Sequence, residues 1–218
     1  MDLRTLVQNT PSRGSASTWV AARSTPDGAL YTASWLNALA IEGRVFVTNA
    51  GQSTTPLTFT AFSVNQPIFA LRVPDATVLL LAHLLVDLED VAGTDTEIIG
   101  EFTQNDIGNG TSAAATAGPI STRTDAPVTA NVVARQLYTA DATAGTNRME
   151  FFRATYGIAE GTAGRGPTFV EWKVGDVGYS PVLVGTASVK AHVSATTTQA
   201  TGFVIAVHAE LPESSLAA

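Results

Sequence analysis

The chain has 218 residues, a hydrophobic fraction of 45%, a charged fraction of 14% and a formal charge of −7. That is apolar enough to bury a core, and the absence of cysteine excludes a disulfide framework, thiolate zinc sites and a cysteine nucleophile together. The only lysines are Lys173 and Lys190, and the ten arginines are scattered singly from Arg4 to Arg165. No basic patch is gathered for phosphate, so direct contact with nucleic acid is disfavoured.

Residues 1–30 read as an extended N-terminal arm, followed by one β-sandwich domain over 31–218. Pro11, Gly14, Pro26 and Gly28 punctuate the arm among Ser and Thr, and no period is sustained. Its apolar anchors are Leu3, Leu6, Val7, Trp19 and Val20. These are the candidate assembly contacts, since such an arm reaches a neighbouring subunit by adding a strand or seating a side chain in a groove. The basic start and long apolar run of a signal peptide are missing from MDLRTLVQNTPSRG, so synthesis in the cytoplasm is expected. The next stretch, ASWLNALAIEG, predicts a helical turn or two, with Trp35, Leu36, Leu39 and Ala40 as a short stripe and Gly43 as its stop.

From Arg44 onward, strand-like runs alternate with turn chemistry. RVFVTNAG, PLTFTAFSV, PIFALRVP, EIIGEF, VTANVVARQLYTA, MEFFRATYG, PTFVEWKVG, PVLVGTASVKAHVSA and TGFVIAVHAEL each read as a strand. Between them lie Gly/Thr/Ala/Asp loops, NDIGNGTSAAATAG among them. About nine strands with little helix predict an all-β fold, an antiparallel two-sheet sandwich with a jelly roll as the expected architecture.

The two closing strands suggest a register. In SVKAHVS, Val189, Ala191 and Val193 share one face and Lys190, His192 and Ser194 the other. In TGFVIAVHAEL, Ile205, Val207, Ala209 and Leu211 oppose Ala206, His208 and Glu210. A hairpin with both apolar faces inward pairs His192 with His208 and Lys190 with Glu210, leaving the polar residues outside.

VLLLAHLLVDL, residues 78–88, is the most hydrophobic stretch. At about eleven residues it is shorter than the roughly twenty that span a bilayer as a helix. Helical spacing gives a stripe of Val78, Leu81, Leu85 and Leu88. Strand alternation works with one bulge, with Val78, Leu80 and Ala82 on one face and Leu85, Asp87 and Glu89 continuing after the slip. The strand is favoured because Pro74 precedes the run and its neighbours read as strands; the helix stays open.

No catalytic constellation emerges, and no enzyme activity, metal or cofactor is expected. His83, His192 and His208 are the only histidines, and His192 with His208 supplies two ligands where zinc takes three or four. No G-x-S-x-G is present, and the glycine-rich GRGPTF and GNGTS do not join a strand to a helix. Asp87, Glu89, Asp90, Asp95 and Glu97 lack EF-hand spacing and read as a solvated loop rather than a calcium site. Trp19, Tyr31, Trp35, Trp172 and Tyr179 read as core or interface anchors ahead of a sugar platform.

The run TTPLTFTAFSVNQPIFALRVPDATVLLLAHLLVDLEDVAGTDTEI, with the later GFVIAVHAELP, resembles virion structural proteins of phages and viruses. The motifs are Phe69, Leu71, Val73 and Pro74 at a strand end, then an apolar strand, then Gly93, Thr94 and Glu97 in an acidic loop. Glu210, Leu211 and Pro212 close the last strand. The resemblance covers a minority of the chain, and its motifs are structural rather than catalytic. It implies a jelly-roll capsid, decoration or spike subunit, commonly trimeric, whose partners are copies of itself and other virion proteins. It further implies a location in the virion after synthesis in the host cytoplasm, with no membrane partner. The acidity and lack of a basic arm point to an outer or accessory position. The competing expectation is a carbohydrate- or receptor-binding β-sandwich module.

Overall fold

A computed structural model describes residues 34–52, 54–59, 61–90, 96–105, 110–139, 146–156, 169–195 and 200–216. The arm, with Leu3, Leu6, Val7, Trp19 and Val20, lies outside the described residues. The first described element is helix α1 (Trp35–Ile41), started by the Ser34 side chain accepting a hydrogen bond from the Asn37 N–H at 3.3 Å. Gly43 stops it at φ +77°, a left-handed conformation that glycine adopts without strain. The expected helix is present, but none of its residues is buried.

Thirteen strands follow among the described residues, numbered in chain order. The first sheet holds β1 (Val45–Ala50), β2 (Leu57–Phe59), β4 (Thr77–Asp90), β7 (Ala117–Ser121), β10 (Phe169–Lys173), β11 (Val182–Val184) and β13 (Ala200–Pro212). The second holds β3 (Phe69–Val73), β5 (Thr96–Gln104), β6 (Ala113–Ala114), β8 (Val133–Gln136), β9 (Thr146–Tyr156) and β12 (Ala187–Ala195). The orders are β10-β4-β13-β1-β7, with β11 also on β4 and β2 on β13, and β6-β8-β3-β12-β5-β9. The expected two-sheet antiparallel sandwich is therefore the fold.

The long strands pair from the chain ends inward. β1 lies against β13, β3 against β12, β4 against β10 and β11, and β5 against β9. This paired ribbon is folded over, so that β13 also meets β4 and β12 also meets β5. Phe59, Leu79, Leu84 and Ala206 of the first sheet pack with Phe69, Leu71, Ile98 and Val189 of the second in one core. Each such large side chain contributes about 2 kcal/mol by leaving water.

The run 78–88 is strand, as favoured, and its bulge is at Ala82. Leu81 stands opposite His208 and His83 opposite Val207, so Ala82 is the extra residue. Before the bulge Leu79 and Leu81 face the core; after it Leu84, Val86 and Leu88 do. One inserted residue thus keeps the core face apolar from Leu79 to Leu88.

Several expectations are corrected. The segment expected as the loop NDIGNGTSAAATAG contains β6 and the start of β7. PVLVGTASVKAHVSA is two strands, broken where Gly185 takes φ +68°. VTANVVARQLYTA and PLTFTAFSV shrink to β8 and β2, and PTFVEWKVG ends in a helical turn, α2 (Val174–Val177). The largest correction concerns the closing hairpin. β12 and β13 belong to different sheets and do not pair, because each is taken by long-range partners on both sides. No helix among the described residues is long and apolar enough to cross a membrane.

Candidate functional site

Directly opposed residues of antiparallel strands share a face, so the register of the first sheet reads out its outer surface. One row runs Val184, Val78, Leu211, and the next Val182, Leu80, Ala209, Val45. A third runs Lys173, His83, Val207, Val47, Ile120, and a fourth Glu171, Leu85, Ile205, Asn49. The last is Phe169, Asp87, Phe203. Fourteen of these nineteen positions are aliphatic or aromatic. Val182 is 54% exposed and Ile120 is 61% exposed, Leu80, Leu85, Ile205 and Val207 are half-buried, and Val45, Val78 and Ala209 are already buried within the chain. A sandwich normally turns polar residues outward on such a face, and a broad apolar surface marks a place that another surface covers.

This also corrects the facing of β13. Ile205, Val207 and Leu211 were expected inside, yet Val204, Ala206, His208 and Glu210 point inward. The inward set is viable because its polar members have partners. Glu210 accepts hydrogen bonds from the backbone N–H of Asn131 at 2.7 Å and of Val132 at 3.3 Å. His208 Nε2 lies 3.1 Å from Glu210 Oε1, and its ring stacks on Phe46 with centroids 5.6 Å apart.

Apart from Asp87, the charge on the apolar face is a small cluster at its β10 side. Glu171 is 3.1 Å from His83 Nε2 and 2.6 Å from Lys173 Nζ. The hydrogen bond from Lys173 holds the Glu171 carboxyl below its ordinary range, and His83 adds to this.

The outer face of the second sheet has a different chemistry. Lys190 stands opposite Glu101 in the register, with Nζ 2.7 Å from Oε1, and Ser188 and Thr103 share a 2.7 Å hydroxyl contact. Arg148 donates to both oxygens of Glu101, at 2.9 Å from Nε and 2.6 Å from Nη2. Burial pushes the Glu101 carboxyl up, but the hydrogen bonds and charges of Arg148 and Lys190 together outweigh it and hold it low. Burial pushes the Lys190 ammonium down, and Glu101 only partly restores it. The expected partner Glu210 lies in the other sheet.

His192 follows on the same face and is 2% exposed, not the solvent-facing residue expected. It is not next to His208, which sits inside the sandwich in the other sheet. Neither ring nitrogen of His192 has a well-formed hydrogen bond, and the Ser63 backbone supplies only a weak one. Burial, with the Lys190 charge second, lowers its pKa to about 4. Phe62 lies over the ring, centroids 5.3 Å apart and planes at 51°.

The acidic stretch is not gathered into a site. Asp87 is on the outer face of the first sheet, while Glu97 is in the second, paired with Arg153. Asp95 lies outside the described residues, as do Trp19 and Tyr31. Trp172 is a core residue, whereas Trp35 and Tyr179 are exposed. Among the described residues no three of His, Cys, Asp and Glu are grouped to hold a metal ion. Compared with models of known protein families, with curated proteins and with solved structures, the chain matches none.

Proposed function

We propose that the chain is a jelly-roll structural subunit of a virus or phage particle that assembles with copies of itself, its other contacts being with further virion proteins. The observation that carries this is the apolar outer face of the first sheet. Its charge cluster is already paired internally, Glu171 against Lys173 and His83, and the one further charged position among these rows is Asp87 at the edge, opposite Phe169 and Phe203. The complement of such a face is another apolar sheet face, and a second copy of this chain supplies one. The jelly roll is supported by the end-to-end pairing of the long strands, because folding an eight-strand ribbon in two gives this order in each sheet. The arm is the second reaching element, and a trimer is the assembly that the resemblance to virion proteins implies.

Native mass spectrometry and light scattering of the full chain test the reading. A defined oligomer is expected, and Val182→Asp is expected to shift it toward a folded monomer. A wild-type chain that stays monomeric at high concentration contradicts the proposal.

A further inference from the structure

His192 is the buried polar group that the assembly reading leaves without a task. It lines a cavity of about 90 Å³ on the outer side of the second sheet. Phe62, Ile68 and Leu137 give the cavity apolar wall, and Gln66, Tyr138 and Thr139 give it polar wall. Neither nitrogen of the His192 ring makes a well-formed hydrogen bond, the Ser63 backbone giving it only a weak one, although the ring is almost fully withdrawn from solvent. A buried donor or acceptor left unmade is costly, and a ligand in the cavity recovers that cost. The ring is neutral at physiological pH, since its pKa is about 4. It therefore presents one N–H donor and one nitrogen acceptor.

These features restrict the ligand. A cation is disfavoured by the neighbouring Lys190 and Arg148 charges, which also act on His192. A carboxylate accepts from the ring N–H but gives nothing back to the acceptor nitrogen. A group with both N–H and C=O satisfies both. Size narrows the choice further, because a cavity of about 150 Å³ takes the six carbons of benzene. A volume of about 90 Å³ scales to about four heavy atoms, the size of an acetamido group. At the mouth Phe62 is 46% exposed, an aromatic surface on which a sugar ring can rest.

We propose that this cavity binds the acetamido group of an N-acetylhexosamine, with the amide hydrogen-bonded to His192 and the sugar ring lying against Phe62. Thr58 of the first sheet also lines the cavity, but none of the nineteen positions of the apolar face does, so its occupancy is separable from association through that face.

The test is a titration of the full chain with N-acetylglucosamine, glucose, sodium acetate and N-acetyl-lysine, followed by the ring ¹⁵N resonances of its three histidines. N-acetylglucosamine is expected to shift the His192 resonances saturably, and glucose and acetate to leave them unchanged. Phe62→Ala, read on the His192 resonances, and His192→Phe, read by calorimetry, are each expected to weaken binding about tenfold or more, the value of one hydrogen bond or contact of about 1.4 kcal/mol. Equal shifts from N-acetyl-lysine overturn the sugar assignment, and stronger binding of acetate overturns the amide assignment. No shift with N-acetylglucosamine overturns the site and leaves the cavity to water. If His192→Phe fails to fold, the wild-type ligand series and Phe62→Ala decide the matter.

Discussion

The ammonium of Lys190 lies 2.7 Å from the carboxylate of Glu101, and neither side chain is exposed to solvent. The pair is not symmetric, because Arg148 also holds both Glu101 oxygens. Glu101→Gln strips the buried ammonium of this carboxylate and is expected to cost about 3–5 kcal/mol. Lys190→Met leaves Glu101 bonded to Arg148 and is expected to cost about 1–2 kcal/mol. Urea midpoints at neutral pH read the order, and equal losses contradict it. The folded-state pKa of Glu101 is lowered, so its stabilisation is complete above the ordinary carboxylate value. It is lost as pH falls through the lowered one.

His192 makes stability depend on pH in a second window. Burial first, and Lys190 second, hold its folded pKa at about 4 against the ordinary 6.5. Between those values the unfolded chain binds a proton that the folded ring refuses, so stability rises with pH. The contribution is fully present above about 6.5 and lost as pH falls to about 4, worth roughly 3 kcal/mol. Across pH 4 to 7.5, thermal melts are expected to show wild type losing about 3 kcal/mol relative to His192→Leu as pH falls, because only the wild type carries this titration. Parallel curves would contradict the assignment.

Leu84 and Leu85 are adjacent, yet the bulge at Ala82 assigns them opposite faces. Leu84 is in the core, and Leu85 is half-buried on the outer face opposite Ile205. Leu84→Ala is expected to cost about 2–5 kcal/mol of folding stability. Leu85→Ala is expected to cost about 1 kcal/mol or less of folding while weakening self-association. Denaturation and sedimentation on the same two variants separate these effects.

Gly202 leaves no room for a side chain in the first sheet. A Cβ there would lie 2.0 Å from the Asp87 carbonyl oxygen, on the strand that β13 pairs with. Backbone cannot yield as a flexible side chain can, so Gly202→Ala is expected to cost about 3 kcal/mol or more. A variant with an unchanged unfolding midpoint would show that β13 shifts freely against β4.

Much of the sandwich was legible in residue order. β1, β3, β5, β9 and β13 lie within a residue or a few of their expected positions, because alternation and turn residues act locally. The bulge in β4 was legible too, since a run apolar on both parities changes its core face only by adding a residue. The buried histidine cavity was not. His192 reads as one polar residue alternating with valines, and its cover comes from Phe62, well over a hundred positions away in the chain. Alternation carries no information about what a distant segment lays across a face.

Residue order alone carried an all-β chain, a preference for strand over helix at 78–88, the small helix before β1 and the short supply of positive charge. Those follow from local periodicity, turn chemistry and composition. Only the tertiary structure decided that β12 and β13 part into different sheets, that Lys190 meets Glu101, and that Ile205 and Val207 face outward. The physical reason is the same in each case. An apolar side chain and a satisfied polar one are both acceptable inside, so alternation defines two faces without ranking them. The ranking comes from the partners that long-range strand pairing delivers: Asn131 and Val132 amides for Glu210, and the Glu101 carboxylate for Lys190.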